Sequence, residues 1–217
     1  VRGRCRPAIP ITEPETTAMT SNPILHLASS SPRRREILEA LRLAFRVEAV
    51  EVDERRLPHE TPEQMVLRLA EAKARAADVD RSHFVIGSDT VVVLGDDVLG
   101  KPRDQDDAVA MLLKLSGRRH RVLTGVALRG PDGVRTTTST TEVFFREISR
   151  DEALFYWQSG EPRDKAGAYG IQGVGGALVE SINGSYSGVV GLPAFETAEL
   201  LRSAGIDVLG NQVDHDR

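Results

Sequence analysis

The sequence predicts an α/β protein, and three observations carry that expectation. Short apolar segments of strand length alternate with stretches whose apolar residues recur at helical spacing. Two of the helical stretches open with capping boxes, Thr61-Pro62-Glu63-Gln64 and Ser149-Arg150-Asp151-Glu152. The two long alternating segments, His120 to Leu128 and Val134 to Phe145, are joined by the turn residues Gly130-Pro131-Asp132-Gly133. A chain of 217 residues, 40% hydrophobic and 28% charged, can bury a sizeable core as one domain or two tight lobes.

The elements follow in order. Residues 1–21 mix arginines, prolines and threonines without periodicity and read as a disordered extension, with Met19 just ahead of the first strand. Ile24 to Ala28 is a short strand. It runs into Ser29-Ser30-Ser31-Pro32-Arg33-Arg34-Arg35, where Ser31 is placed to cap a helix and Pro32 suits its first position. That helix reaches about Leu43, and Phe45 to Val52 alternates as a strand. Three arginines on a first helical turn oppose the dipole. They are either a solvated basic turn or the seat of an anion at the free N–H groups.

The helix from Pro62 turns Val66, Leu69 and Ala70 inward. Lys73, seven positions after Val66, lies near the same line. Its stem either snorkels along the apolar edge or points into a polar cleft. Phe84 to Gly87 and Thr90 to Leu94 read as strand, interrupted by Ser88-Asp89-Thr90, and Gly95-Asp96-Asp97 is a hairpin turn. An ionised Asp89 among apolar β residues is costly unless paired, metal-bound, lining a cleft or accepting backbone N–H bonds. A helix follows from Asp104 to Gly117 and another from Ser149 to Gly160; His120, alone on its strand, reads as structural. The run Asp164-Lys165-Ala166-Gly167-Ala168-Tyr169-Gly170-Ile171-Gln172-Gly173-Val174-Gly175-Gly176 sets Lys165, Tyr169 and Gln172 among glycines that let backbone approach a ligand. It fits neither GxGxxG nor a Walker loop. Asn183-Gly184-Ser185 is a turn, Val189 to Leu192 a strand, and Pro193 opens a last amphipathic helix to Gly205. Residues 22–209 form one domain in this reading, with a flexible tail over 210–217.

Composition excludes several functions. With 28 Lys and Arg against 32 Asp and Glu, the net charge of −4 disfavours a general nucleic-acid binder. No apolar run approaches the roughly 20 residues of a membrane span, and the N-terminal arginines are not followed by the apolar core of a secretory signal. The single cysteine, Cys5, allows no intrachain disulfide, which agrees with a cytoplasmic location. What remains is a pattern: Arg33, Arg34, Lys73, Lys101 and Lys165 recur in separate segments, with Asp53, Glu54 and Asp89 among them. Scattered cations and carboxylates suit a polyphosphate held with a divalent metal, and oxygen donors suit magnesium or manganese. A carboxylate, as base or as metal ligand, suits attack by water on phosphorus. The Gln172 amide offers the donor and acceptor needed to read a base edge.

Five segments then make a resemblance. They are Ser29-Ser30-Ser31-Pro32-Arg33-Arg34, Gly87-Ser88-Asp89-Thr90, Leu99-Gly100-Lys101-Pro102, Leu115-Ser116-Gly117 and Asp164 to Gly173. In order and over residues 24 to about 204, the chain resembles the Maf family of nucleoside triphosphate pyrophosphatases. The resemblance implies an elongated mixed β-sheet flanked by helices, two lobes around a central cleft, and a protein that is often a homodimer. It implies hydrolysis of a nucleoside triphosphate between its α and β phosphates, giving monophosphate and pyrophosphate, with a divalent metal. Carried over by position, Asp89 is the proton acceptor and a metal ligand. Ser29, Ser31, Arg34, Lys73 and Lys101 line the phosphate cleft, to which Lys165 adds a cation. Asp53 or its neighbour Glu54 is the acidic partner at the metal. Arg33, Thr90 and Gln172 match the residues that mark the dTTP/UTP branch, and a Gln amide pairs with O4 and N3–H of uracil or thymine. Ser30 and Ser88 stand where glycine and alanine are common in the family. A regulator of cell division that binds nucleotide with little catalysis is the alternative from another class, since the family has been linked to septation.

Overall fold

Seven strands and six helices are laid along one sheet in a computed structural model that describes residues 24–210. The expectations for residues 1–21 and for most of the tail lie outside the described residues. The strands are β1 (Leu25–Leu27), β2 (Phe45–Val47), β3 (Phe84–Leu94), β4 (Asp97–Leu99), β5 (Arg119–Gly130), β6 (Gly133–Phe145) and β7 (Val179–Asn183). The helices are α1 (Pro32–Ala40), α2 (Pro62–Ala76), α3 (Gln105–Leu115), α4 (Arg150–Gln158), α5 (Tyr186–Val190) and α6 (Ala194–Ser203). The sheet order is β2-β1-β3-β5-β6-β7, with β4 also paired to β3. β1 runs parallel to β2 and β3, and every other pairing is antiparallel, so the sheet is mixed.

Both capping boxes form. Thr61 accepts from the N–H of Gln64, whose side chain reaches back to the Thr61 N–H, and Ser149 and Glu152 do the same. Asp104 caps α3. Ser31 occupies the N-cap of α1 as expected but caps nothing with its side chain.

Three strand expectations need correction. β3 is continuous through Ser88-Asp89-Thr90, because these residues hold register with β5, Asp89 opposite Gly125, and carry no turn signal of their own. β2 stops at Val47 instead of Val52, since β1 itself ends at Leu27 and leaves nothing further to pair. Val189 and Val190 close the short helix α5, capped by Ser185 and ended by Gly191 at φ +128°, and are not a strand. α1 also ends sooner than Leu43, at Ala40, followed by Arg42 at φ +55°. β7 had no expectation at all.

The sheet carries one hydrophobic cluster at each end. One joins Leu27 and Ile86 to Leu38 of α1 and Leu201 of α6; the other joins Val92, Val122 and Phe145 to Leu112 of α3 and Tyr156 of α4. These are the two lobes. The opposite face of β3 and β5 is covered by α2, which lies close because the positions beneath it are glycine. A Cβ on Gly87 would stand 2.1 Å from the Ala70 carbonyl oxygen, and one on Gly125 2.4 Å from that of Val66.

Candidate active site

β3 pairs with β5 along nearly its whole length, but its other edge is shared. β1 takes Phe84 to Ile86, and β4 takes Val92 to Leu94. Between them the edge is open, and there the two lobes part around a cleft of about 550 Å³. The alternation of the strand sends Asp89 to the face that carries Val91 and Val93 under α2, and Ser88 and Thr90 to the other. The residues that break the apolar pattern of β3 are therefore the ones at the gap.

On the α2 face, Asp89 meets Lys73. The Lys73 ammonium donates to Asp89 Oδ1 at 2.6 Å and to Glu54 Oε1 at 2.7 Å, and its side chain is only 10% exposed. Lys73 thus points into a cleft and does not snorkel. Lys101, just after β4, adds a looser contact to Glu54 Oε2 at 3.6 Å. Burial pushes the Glu54 carboxyl up, but the hydrogen bonds and charges of Lys73 and Lys101 outweigh it and hold the group below its ordinary value. Asp89 Oδ2 has no hydrogen-bond partner among the described residues, and Asp89 lines the cleft.

On the other face, Arg34 is fixed from three sides. Its Nε donates to the Gly191 carbonyl at 2.8 Å, one terminal nitrogen donates to Ser29 Oγ at 3.1 Å, and the other approaches Thr90 Oγ1 at 3.5 Å. Burial pulls this guanidinium below its ordinary value, and the nearby Asp89 carboxylate opposes that pull. Ser29 Oγ also accepts from the Ser31 N–H at 3.2 Å, which turns the strand end into the helix start. Thr90 and Thr124 share a hydroxyl–hydroxyl bond of 2.9 Å.

The third wall is the glycine-rich stretch, wound as three short 3₁₀ turns over 161–164, 166–168 and 173–178. Asp164 accepts from Arg33 at 3.0 Å and from Lys165 at 2.7 Å, and so ties α1 to this wall across the cleft mouth. Burial raises the Asp164 carboxyl, and the two cations more than offset it. Gln172 is half-buried in the cleft wall.

Nearly every residue singled out from the sequence lines this one cleft: Ser29, Ser31, Arg33, Arg34, Glu54, Lys73, Asp89, Thr90, Lys101, Lys165 and Gln172. Asp53 does not. It is exposed and held by Arg55, whose hydrogen bonds bring its carboxyl down to about 2, so of the acidic pair Glu54 is the one at the cleft. His120 is structural: its Nε2 bonds the Tyr169 hydroxyl at 2.8 Å, its ring packs edge-on to Phe145, and burial lowers its pKa to about 4. Three groups escaped the sequence reading. The Gly191 carbonyl and Thr124 hold Arg34 and Thr90, and Asp164 was seen only as part of a motif. Only Asp164, a carboxylate beside a lysine in a glycine run, left any trace in the sequence.

Among the described residues no helix is long and apolar enough to cross a membrane, and no group of three or more His, Cys, Asp or Glu could hold a metal alone. The protein-family model described as Maf-like protein matches residues 24–204. The dTTP/UTP pyrophosphatase of Hahella chejuensis is 50% identical over 188 residues, 85% of this chain and 94% of that protein. That of Anaeromyxobacter dehalogenans is 54% identical over 84% of this chain and 95% of its own length, and that of Vibrio cholerae 52% over 82% and 96%. Among solved structures, a HAM1 protein from Coxiella burnetii superposes with a TM-score of 0.47 at 17% identity, covering 84% of this chain and 99% of that one.

Proposed function

The chain belongs to the Maf-like protein family, and from that premise and its cleft we propose that it is a dTTP/UTP pyrophosphatase. Water adds across the bridge between the α and β phosphates. One nucleoside monophosphate, one pyrophosphate and one proton result. The observation that carries this reading is the convergence at the β3 gap. A half-free carboxylate, Asp89, lines a cleft into which separate elements bring cations: Lys73 from α2, Arg34 from α1, Lys101 from after β4.

Asp89 takes the proton of the attacking water through Oδ2, while Lys73 at Oδ1 fixes the plane of the carboxylate. Arg34 is already hydrogen-bonded to the Gly191 carbonyl and Ser29, so its charge is placed before the triphosphate arrives and does not reorganise during reaction. Lys101 and Lys165 meet the outer phosphates. Gln172 pairs with O4 and N3–H of the pyrimidine, with Arg33 and Thr90 beside it.

The donor set fits a divalent ion. Lys73 takes one oxygen of Glu54 and one of Asp89, and their second oxygens would hold the ion, which phosphate and water would complete in the manner usual for magnesium. When bound, magnesium or manganese supplies Lewis acidity and a more acidic water. Incubation with UTP and magnesium tests the reading: pyrophosphate release supports it. Release of orthophosphate would make the protein a phosphatase, and tight binding without turnover would make it a nucleotide-responsive regulator.

A further inference from the structure

The stretch that carries Gln172 hangs from one carboxylate. Glu161 Oε1 accepts from the Tyr156 hydroxyl at 2.8 Å and from the Gly175 N–H at 3.1 Å, and Oε2 accepts from the Val174 N–H at 3.0 Å. The Tyr156 hydroxyl in turn accepts from the Gly170 N–H at 3.0 Å. The backbone on both sides of Gln172, two residues before it and two and three after, is thus tied to a single Glu–Tyr pair. Tyr156 is 2% exposed and packed in the cluster of α3 and α4, so the pair is anchored in the core of one lobe.

The glycines around Gln172 are cut to this carboxylate. Gly173 has φ +68°, and a Cβ there would stand 2.7 Å from Glu161 Oε2. A Cβ on Gly175 would stand 2.3 Å from the Tyr156 hydroxyl oxygen. Gln172 itself spends no side-chain hydrogen bond on the rest of the described chain, so its amide is placed by backbone alone.

We infer that Glu161, with Tyr156, is a positioning residue that sets pyrimidine selectivity by fixing the height of Gln172 in the cleft. The inference rests on the proposal that Gln172 reads the base. A hydrogen bond to a base edge holds over only about 2.7–3.2 Å, so a backbone shift of about 1 Å removes it. Neither Glu161 nor Tyr156 lines the cleft, and Arg34, Lys73 and Lys101 at its phosphate end stand on other elements; Lys165 donates to the main-chain carbonyl of Glu161, which neither side-chain variant removes.

The test compares kcat and KM for UTP with those for UTP methylated at N3, which has lost the donor that Gln172 reads. Wild type, Gln172→Ala, Tyr156→Phe and Glu161→Gln are measured together. Tyr156→Phe keeps the buried ring and removes only the hydroxyl. Glu161→Gln turns an amide NH₂ toward a backbone N–H. Gln172→Ala is expected to lower the UTP preference by about 10- to 100-fold, the range of one bidentate base contact. Tyr156→Phe and Glu161→Gln should lower it by about tenfold, through KM for UTP, while kcat at saturating UTP stays within about threefold. A general loss of structure would slow both substrates alike and leave their ratio unmoved. If Gln172→Ala lowers the ratio and neither other variant does, the positioning role is wrong. If Gln172→Ala itself leaves the ratio unchanged, the base-reading role of Gln172 is wrong and the inference falls with it. Should Glu161→Gln not fold, Tyr156→Phe alone decides.

Discussion

Lys73→Met separates the roles of the buried ammonium from those of its partners. The ammonium lies 2.6 Å from Asp89 and 2.7 Å from Glu54, with the Lys73 and Asp89 side chains each 10% exposed. Met fills nearly the same volume, so the buried position on α2 stays filled and the charge is lost. Asp89 and Glu54 then lose the cation they share, and keep only the charge of Arg34 nearby and the looser Lys101 contact to Glu54 at 3.6 Å. Removing one partner of a buried pair costs about 3–5 kcal/mol, and the lower end applies here because the cleft admits water and Glu54 is about half exposed. The sign with pH follows from proton binding. In the variant, Glu54 loses the hydrogen bond and charge of Lys73 that offset its burial, so its carboxyl rises, the folded state binds more protons and stability falls as pH rises through the raised value. Urea unfolding at pH 5 and pH 8 reads both effects. Lys73→Met should lose about 3 kcal/mol at pH 8, about 1.5 M in midpoint, and recover much of it at pH 5, where wild type shows no such gain. An equal loss at both pH values, or a loss under about 1 kcal/mol at pH 8, would show that the ammonium does not hold two charged carboxylates together.

Other consequences can be checked in parallel. Arg34→Lys keeps the charge but cannot reach Gly191, Ser29 and Thr90 at once, so kcat/KM for UTP should fall about 10- to 100-fold by steady-state kinetics, mostly through KM. Gly87→Ala drives a methyl into the backbone of α2, 2.1 Å from the Ala70 carbonyl oxygen, and should destabilise by about 3 kcal/mol or more in urea while also weakening turnover, because α2 carries Lys73. His120, with its pKa lowered to about 4 by burial, is neutral when folded and takes a proton more readily when unfolded. Its contribution is present above the unfolded value of about 6.5 and is lost as pH falls toward 4, about 2 kcal/mol by pH 4.5. Comparing wild type with His120→Gln by denaturation at pH 7.5 and 4.5 isolates that slope.

The sequence disclosed the site more fully than the frame around it. Side chains in unlike surroundings are conspicuous: Asp89 in an apolar strand, a lysine on the inner line of α2, three arginines on a first helical turn. Each contradicts its local pattern, and all but Arg35, which pairs with Glu39 on the surface, line the cleft. Capping boxes were legible because their chemistry is local, and Thr61–Gln64 and Ser149–Glu152 form as read. What failed depends on partners distant in sequence. β3 runs through Ser88-Asp89-Thr90 because β5 holds it there, and β2 is short because β1 turns away. Val189 and Val190 favour a strand by propensity, yet the Ser185 cap makes them the end of a helix. Asp53 and Glu54 are neighbours of one chemical type, and only the path of the loop could decide which enters the cleft.

Asp89→Asn tests most directly whether Asp89 activates the attacking water. The substitution keeps the shape of the side chain, and the amide oxygen can still accept from Lys73, so the protein should fold and still bind UTP. Turnover of UTP to pyrophosphate with magnesium should drop by at least 10²-fold, in line with loss of a general base. A variant that released pyrophosphate near the wild-type rate would contradict the central claim that this carboxylate, at the open edge of β3, activates the water.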